Sequence, residues 1–367
     1  MNRQRAVDVV VVGGGPAGGA AALRLARAGC SVVIAERSDY VRPRMGETLP
    51  PIINLELSEL GLLDTFVAQR PTPSHESASA WSDVAVTARS TIFDPYGVGW
   101  HVDRARFDAM FTDGAAGAGA TVMCRADVHA VTREADGSLT VVIDHPGGRR
   151  VVPSREVVDA TGRSARIARA LGATSRRLDT LVAVSVVCEL PPGVAPGDTF
   201  VEAAADGWWY ASPLPGGRRI ISFFTDSSIA RSMGVTDPSG WWEALHRTDH
   251  VVHLARQAVP TARPTVASAA SRVLSPAAGD DWMAIGDAAL AVDPLSSSGV
   301  ANALAWARAA SAVLAGPAAG RVAGAVAYDA SIAAAAARYV AERARYYGLE
   351  ERFADAPFWQ ARRAAVD

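Results

Sequence analysis

The chain has no lysine: its 36 basic residues are all arginine. With the heavy alanine usage, that bias reads as the imprint of a GC-rich genome. Cysteine is almost as scarce. Cys30, Cys124 and Cys188 are widely spaced and form no C-x-x-C pair, which argues against a disulfide framework or a zinc site and fits a reducing cytoplasm. An excess of either charge is missing too, since 38 acidic residues leave a formal net charge of -2. Nothing in that balance points to nucleic acid or an anionic membrane as a partner. Long apolar runs are absent. The most alanine-rich stretch, Ala323 to Ala337, carries Tyr328 and Asp329 with Arg338 beside it, and reads as an amphipathic helix rather than a membrane span. Met1 to Arg5 is polar and leads straight into a strand, so no signal peptide is expected. His246, His250 and His253 recur at helical spacing but lack a nearby acidic complement, which suits a solvated face and no metal site.

What is present is a composition of 49% hydrophobic and 20% charged residues, ordinary for a globular protein. At 367 residues two interleaved domains are expected. The strongest signal lies at the start. Val9 to Val12 form a β-branched run, Gly13-Gly14-Gly15-Pro16-Ala17-Gly18 follows, then an alanine-rich helix, a second apolar strand and Glu36. Strand, glycine turn, helix, strand and acid in that order form a dinucleotide-binding fingerprint. Gly13 allows the tight turn, Gly15 lets backbone approach a pyrophosphate, and Gly18 permits close helix–strand packing. A helix starting near Pro16 and Ala17 turns free N–H groups and its positive dipole end toward phosphate. Glu36 is placed to accept from ribose hydroxyls.

Further along, a loop holds Arg42, Pro43, Arg44, Met45, Gly46 and Glu47, and a helix is expected from Pro51 to Leu60. Ser74 to Asp94 reads as short strands. Asp103 is a plausible cap for a helix carrying Phe107, Met110 and Phe111. Thr121 to Ala130 alternates as a strand, and Leu139 to Ile143 with Arg150 to Val158 flank Gly147-Gly148 as a hairpin. Leu181 to Phe224 is the longest β-rich region and suggests a separate antiparallel sheet. A helix from about Ser239 to Gln257 follows, then a return to Ile285-Gly286-Asp287 and a helix from Gly299 to about Leu314. The stretch from Arg338 to Arg362 is rich in aromatic rings and is expected to cover the core, with a partner surface as the alternative. No internal repeat or low-complexity linker is visible.

Three segments read together, Gly13 to Gly18, Asp159-Ala160-Thr161-Gly162, and Gly286 to Val300, resemble FAD-dependent hydroxylases of the p-hydroxybenzoate hydroxylase type and the related flavin-dependent halogenases. The resemblance implies an α/β fold: a Rossmann-like FAD-binding domain with an inserted antiparallel-sheet substrate domain and a helical C-terminal segment. Residues 1–72, 98–180 and 265–320 would form the FAD domain, 73–97 and 181–264 the substrate domain, and 321–367 the C-terminal helix and tail. By the same resemblance Gly286 and Asp287 would hold a ribityl hydroxyl. Pro294, Ser298, Gly299 and Val300 would set a helix N-terminus against the pyrimidine edge of the flavin. Arg37, Arg44 and Arg104 join Glu36 as candidate cofactor contacts. A narrower likeness lies in Met45 to Pro50, Tyr96 to Arg104 and Gly207 to Tyr210. These are similar to halogenase-like monooxygenases, including those that hydroxylate a tryptophan during maturation of quinone cofactors.

Tryptophan halogenases use a lysine between flavin and substrate, and no lysine exists here. Their glutamate in the stretch matching Asp293 to Gly299 corresponds to Ser296, and their W-x-W-x-I-P signature is absent. Halogenation of that type is therefore disfavoured. No second G-x-G-x-x-G appears, so electrons would come from NAD(P)H docking transiently or from a partner flavin reductase. The remaining expectation is a monooxygenase that uses O2 through a C4a-hydroperoxyflavin to hydroxylate an indole- or phenol-like group, free or carried on a peptide or carrier protein. A dehydrogenase or saturase without oxygen insertion, and a scaffold without turnover, are the alternatives. The site must exclude water, and an aromatic pocket of Trp100, Trp208, Trp209, Tyr210, Phe223 and Phe224 suits that need. Strand alternation sends Trp208 and Tyr210 one way and Trp209 the other. His101 is the better acid–base candidate and His75 the second. Glu47, on a loop that nears the flavin in relatives, is the other catalytic candidate.

Overall fold

A computed structural model describes residues 5–42, 44–194 and 197–363. Most of the polar start from Met1 to Arg5, and Pro43 in the arginine loop, lie outside the described residues. The first sheet has seven strands. In spatial order these are Thr121–Cys124, Val32–Glu36, Val7–Val12, Gly148–Asp159, Leu139–His145 and Asp127–Arg133, with Trp282–Ala284 also paired to Gly148–Asp159. Val7–Val12 runs parallel to both of its neighbours. That arrangement explains its composition: a central parallel strand is covered on both faces and tolerates no alternation. Val9 to Val12 are accordingly all buried. The helices Pro16–Arg27, Arg104–Gly117 and Gly299–Ala315 pack together beside this sheet. Asp103 caps the second of them by accepting from the N–H groups of Ala105 and Arg106, as its position before an apolar-spaced segment implies.

The second sheet has eight strands, built around Leu181–Glu189, Arg218–Asp226, Gly207–Leu214 and Thr199–Ala204. Its pairs are antiparallel, except that Thr199–Ala204 runs parallel to Glu76–Ala80. Thr265–Ser268 pairs with Leu181–Glu189 and so belongs to this sheet. Between the two sheets lies a small one of Thr48–Leu49, Gly99–His101 and Thr72–Ser74. Its register sets Thr48 opposite His101.

Three expected elements differ. Thr121 to Ala130 is two strands on opposite edges of the first sheet, because Arg125 takes φ 52 and turns the chain. The helix expected from Ser239 to Gln257 is two, Pro238–Leu245 and Val251–Ala255. The break is held by the Glu202 carboxylate, which accepts from the N–H groups of Asp249, His250 and Val251 and so caps the second helix. The helix expected from Pro51 to Leu60 covers Ile53–Glu59. The aromatic C-terminal stretch covers the core. Tyr347, Phe358 and Trp359 are fully buried against Trp208 and Phe224. No helix among the described residues is long and apolar enough to cross a membrane.

Candidate functional site

Three glycines of the first turn divide by their surroundings. A Cβ on Gly13 (φ +105) would lie 2.2 Å from the Ala160 carbonyl oxygen, and one on Gly18 would lie 1.9 Å from that of Gly13. Both are packing glycines, with Gly13 also demanding the left-handed region. A Cβ on Gly15 would meet nothing within 4 Å. That open face adjoins the start of the Pro16–Arg27 helix, which no side chain caps. Pro16 and Ala17 are buried at its first positions. The result is a run of backbone donors at a helix N-terminus with space for an anion.

Glu36 stands beside the turn. Its carboxylate accepts from Gly14 N–H at 2.6 Å and from Ser38 N–H at 3.0 Å, and Arg44 Nη2 is 3.1 Å away. Burial alone would raise its pKa, but the hydrogen bonds from Ser38 and Gly14 and the Arg44 charge outweigh it and hold the carboxyl below its usual range. Arg44 also reaches Asp108 at 2.7 Å. Arg104 contacts the same Asp108 at 2.9 Å and donates to the carbonyls of Met45 and Gly46. Arg37, next to Glu36, is exposed. The acid, two of the three arginines and the arginine loop are thus brought together around Asp108.

The distant motif closes on this turn. A Cβ on Gly286 would lie 2.8 Å from the Ala17 Cβ, so the Gly286-Asp287 pair abuts the first helix. Asp287 Oδ2 lies 3.3 Å from Arg163 Nε, and its side chain remains 35% open, room for a ligand hydroxyl. Arg163 itself is pinned by the carbonyls of Ala270 and Val292. Past this point Pro294 begins a short turn, Pro294–Ser296, capped by Asp293, which accepts from Leu295 N–H. Ser297 adopts φ 48, Ser298 follows, and the 17-residue helix Gly299–Ala315 begins with no side-chain cap. A Cβ on Gly299 would meet nothing within 4 Å. The N–H groups at Gly299 and Val300 therefore present a second positive helix end to an open face.

Opposite the Gly286–Val300 segment, the eight-stranded sheet presents Tyr210. Its hydroxyl is 2.7 Å from Thr48 Oγ1, which lies 2.9 Å from Ser212 Oγ. His101 Nδ1 is 3.2 Å from both Thr48 Oγ1 and Ser212 Oγ. Glu47 is buried nearby, its Oε2 accepting from Gly46 N–H at 3.0 Å. Burial, together with the Glu47 charge, pushes the Tyr210 pKa well up, and burial alone pushes His101 down to about 4. His101, Glu47 and Tyr210 are thus brought into one cluster.

The expected aromatic pocket is smaller than the sequence implies. Trp209 stacks on Phe223 at 4.7 Å and meets Trp241 edge-on, in the cluster on the far face of the sheet. Both rings are core. Trp100 points away from His101, as strand alternation requires, and donates from Nε1 to Asn54 Oδ1 at 2.7 Å while packing on Phe66. Trp208 shares the face of Tyr210 but is stacked on Phe224 at 3.9 Å and fully buried. Of those rings Tyr210 alone keeps partial exposure on that face. His75 is exposed, away from the cluster. His246 and His250 sit at the ends of different helices, and no metal-binding group of residues occurs among the described residues.

Several residues escaped notice. Arg163 follows the Asp159–Gly162 motif directly, so its position was the available signal. Thr48 and Ser212 gave none, since isolated hydroxyls are common. Tyr347 donates to Asp293 Oδ2 at 2.8 Å and accepts from Trp208 Nε1 at 3.0 Å, a bridge between the Pro294 turn and the substrate sheet that only tertiary structure reveals.

Residues 6–342 match the family described as FAD binding domain. The chain is 29% identical over 361 residues, 97% of both proteins, to the putative FAD-dependent oxidoreductase LodB of Marinomonas mediterranea. It is 27% identical over 340 residues, 83% of this chain and 74% of the relative, to a 1H-pyrrole-2-carbonyl-(peptidyl-carrier protein) chlorinase of Pseudomonas fluorescens. Among solved structures, the flavin-dependent halogenase CmlS superposes with a TM-score of 0.87 at 25% identity, covering 100% of this chain and 69% of that one. The peptidyl tryptophan dihydroxylase QhpG, essential for tryptophylquinone cofactor biogenesis, superposes with a TM-score of 0.78 at 25% identity, covering 99% and 80%.

Proposed function

Since the chain belongs to the FAD binding domain family and is an FAD-dependent oxidoreductase of the halogenase-like monooxygenase subgroup, we propose that it hydroxylates an aromatic ring presented on a peptide or carrier protein. One observation carries the reading: Leu295 of the turn before the Gly299 helix and Met45 of the arginine loop pack in one cluster with Val201, Tyr210 and Phe224 of the substrate sheet. A ring held there lies between the cofactor segments and a wall without a lysine.

Bound FAD would supply the redox chemistry, with O2 as co-substrate and NAD(P)H or a partner reductase as electron donor. The chain's own residues do the rest. Gly15 and the first turn of the Pro16 helix receive the pyrophosphate, and Glu36 accepts from the ribose. Asp287 accepts from a ribityl hydroxyl. Gly299 and Val300 direct N–H dipoles at negative charge on the ring, which a preorganised helix end stabilises without reorganising. Phe224, Met45 and Leu295 keep water away from the reacting atoms. His101, neutral near pH 7 because of its burial, holds a nitrogen ready for hydrogen bonding. The carrier-linked and peptidyl substrates named for two relatives support a ring delivered on a macromolecule. The absence of lysine favours oxygen over halide transfer.

The test is single-turnover labelling. FAD-loaded protein is reduced anaerobically and exposed to 18O2 with tryptophan- and tyrosine-containing peptides, with chloride and bromide present. The expected product gains one labelled oxygen atom. Desaturation without label, or a halogenated product, refutes hydroxylation.

A further inference from the structure

We propose that Tyr339 and Tyr347 are positioning residues for the flavin. From the Arg321–Gly348 helix they hold the turn at residues 293–298, which keeps the Gly299 helix end in place against the ring and so sets its redox potential. The inference rests on the ring lying at that helix end, as the proposed function has it, and not on which reaction follows.

Asp293 is the point of attachment. It is 2% exposed. Its Oδ1 accepts from Leu295 N–H at 3.0 Å and shapes the turn from within. Its Oδ2 accepts from the Tyr347 hydroxyl at 2.8 Å, and its N–H donates to the Tyr339 hydroxyl at 2.9 Å. The Val292 carbonyl, on the other side of the same peptide group, accepts from Arg163 Nη2 at 3.2 Å. A planar peptide unit held at both its N–H and its C=O cannot swing about the chain.

The rest of the turn has no such tether. Ser296 N–H and Oγ donate to the Asp293 carbonyl, Ser297 N–H donates to that of Pro294, and Ser296 Oγ pairs with Ser298 Oγ. Among the described residues, the only hydrogen bonds that reach residues 293–298 from outside the turn and the helix it opens come from the two tyrosines. Both hydroxyls are anchored in their turn. Tyr339 meets Ser271 Oγ at 2.5 Å, and Tyr347 accepts from Trp208 Nε1 of the substrate sheet at 3.0 Å.

The turn runs directly into Gly299, whose helix has no side-chain cap. A displaced turn therefore displaces the free N–H groups at Gly299 and Val300. Those donors favour negative charge, of which the reduced ring carries more than the oxidised one. Removing either hydroxyl loosens the turn and costs the reduced state more, so the potential falls. In Tyr347→Phe the Asp293 carboxylate also loses a donor, and its less compensated charge acts in the same direction.

Dye-referenced anaerobic reduction of the FAD-loaded protein measures the effect. Tyr339→Phe and Tyr347→Phe should each lower the affinity for reduced relative to oxidised FAD about fivefold, on the order of 20 mV for a two-electron couple. Tyr328→Phe is the control. It lies on the same helix and loses a buried hydrogen bond of 2.7 Å to the Ala284 carbonyl, with none to the turn. It should melt lower and keep the wild-type potential. Unchanged potentials in the Tyr339 and Tyr347 variants, or an equal shift in Tyr328→Phe, overturn the proposal. If Tyr347→Phe does not fold, Tyr339→Phe decides. Incorporation of labelled oxygen with the potentials unmoved sinks this proposal and leaves hydroxylation standing. Shifted potentials without incorporation support the clamp and defeat hydroxylation.

Discussion

Acidifying the FAD-loaded protein from pH 6.5 to 4 should strip stability from the native state through His101. The imidazole falls from its ordinary value of 6.5 to about 4 in the fold, because burial opposes its charge. In that window the unfolded chain binds the proton and the native chain does not, so stability rises with pH across it and is lost as pH falls. Each pH unit is worth about 1.4 kcal/mol, which puts the whole effect at roughly 3 kcal/mol, flattening below the folded-state pKa where both states are protonated. His101→Gln removes the titration while keeping a group of similar reach. Lost contacts with Thr48 and Ser212 give that variant a constant offset, so the quantity to read is the change in the difference between the two proteins. Denaturant midpoints at fixed FAD, measured every half unit, supply it. Wild type should lose ground relative to the variant steadily from pH 6.5 to 4. Parallel profiles would refute the claim that the buried imidazole resists charging.

A second titration runs the other way. Burial raises Glu156 to about 7 against the pull of Arg321, so the native state binds the extra proton and stability falls as pH climbs from 4.5 to 7; Glu156→Gln should flatten that fall in the same midpoint series. Gly15→Ala should fold, since a Cβ there meets nothing within 4 Å, yet lose bound flavin on gel filtration. Gly18→Ala, with its Cβ 1.9 Å from a carbonyl oxygen, should fail to give soluble folded protein. Tyr347→Phe leaves Asp293 Oδ2 and Trp208 Nε1 without their shared partner, a loss of about 1–3 kcal/mol per stranded group, read as a lower melting temperature with wild-type secondary structure by circular dichroism.

The nucleotide-binding end was legible because every part of it is local. The glycine turn, the strand before it and Glu36 are written within 30 residues of one another, and backbone geometry leaves few residues able to serve. Gly286 and Asp287 were legible as a motif, though their contact with Ala17 needs the whole sheet to form. Strand alternation separated Trp208 and Tyr210 from Trp209. What it could not supply was depth: Trp208 faces the right way but is sealed beneath Phe224 and the C-terminal rings. Trp100 failed for the complementary reason, since the register of Gly99–His101 was invisible and one residue's shift exchanges the faces. The hydroxyl cluster around His101 joins Thr48 to Tyr210 and Ser212, more than 150 residues further along the chain, and no pattern in the sequence links the two. Glu202 is a similar case, capping the start of a helix from a remote strand.

The rings at the end of the chain fasten a turn far upstream of them in sequence. Tyr347 donates to Asp293 Oδ2 at 2.8 Å, so the turn before the Gly299 helix can make this contact only once the chain has been synthesised past Tyr347, while Trp359 donates to the Ala204 carbonyl at 2.9 Å in the substrate sheet. A polypeptide shortened before Tyr347 would leave Asp293 Oδ2 without this donor.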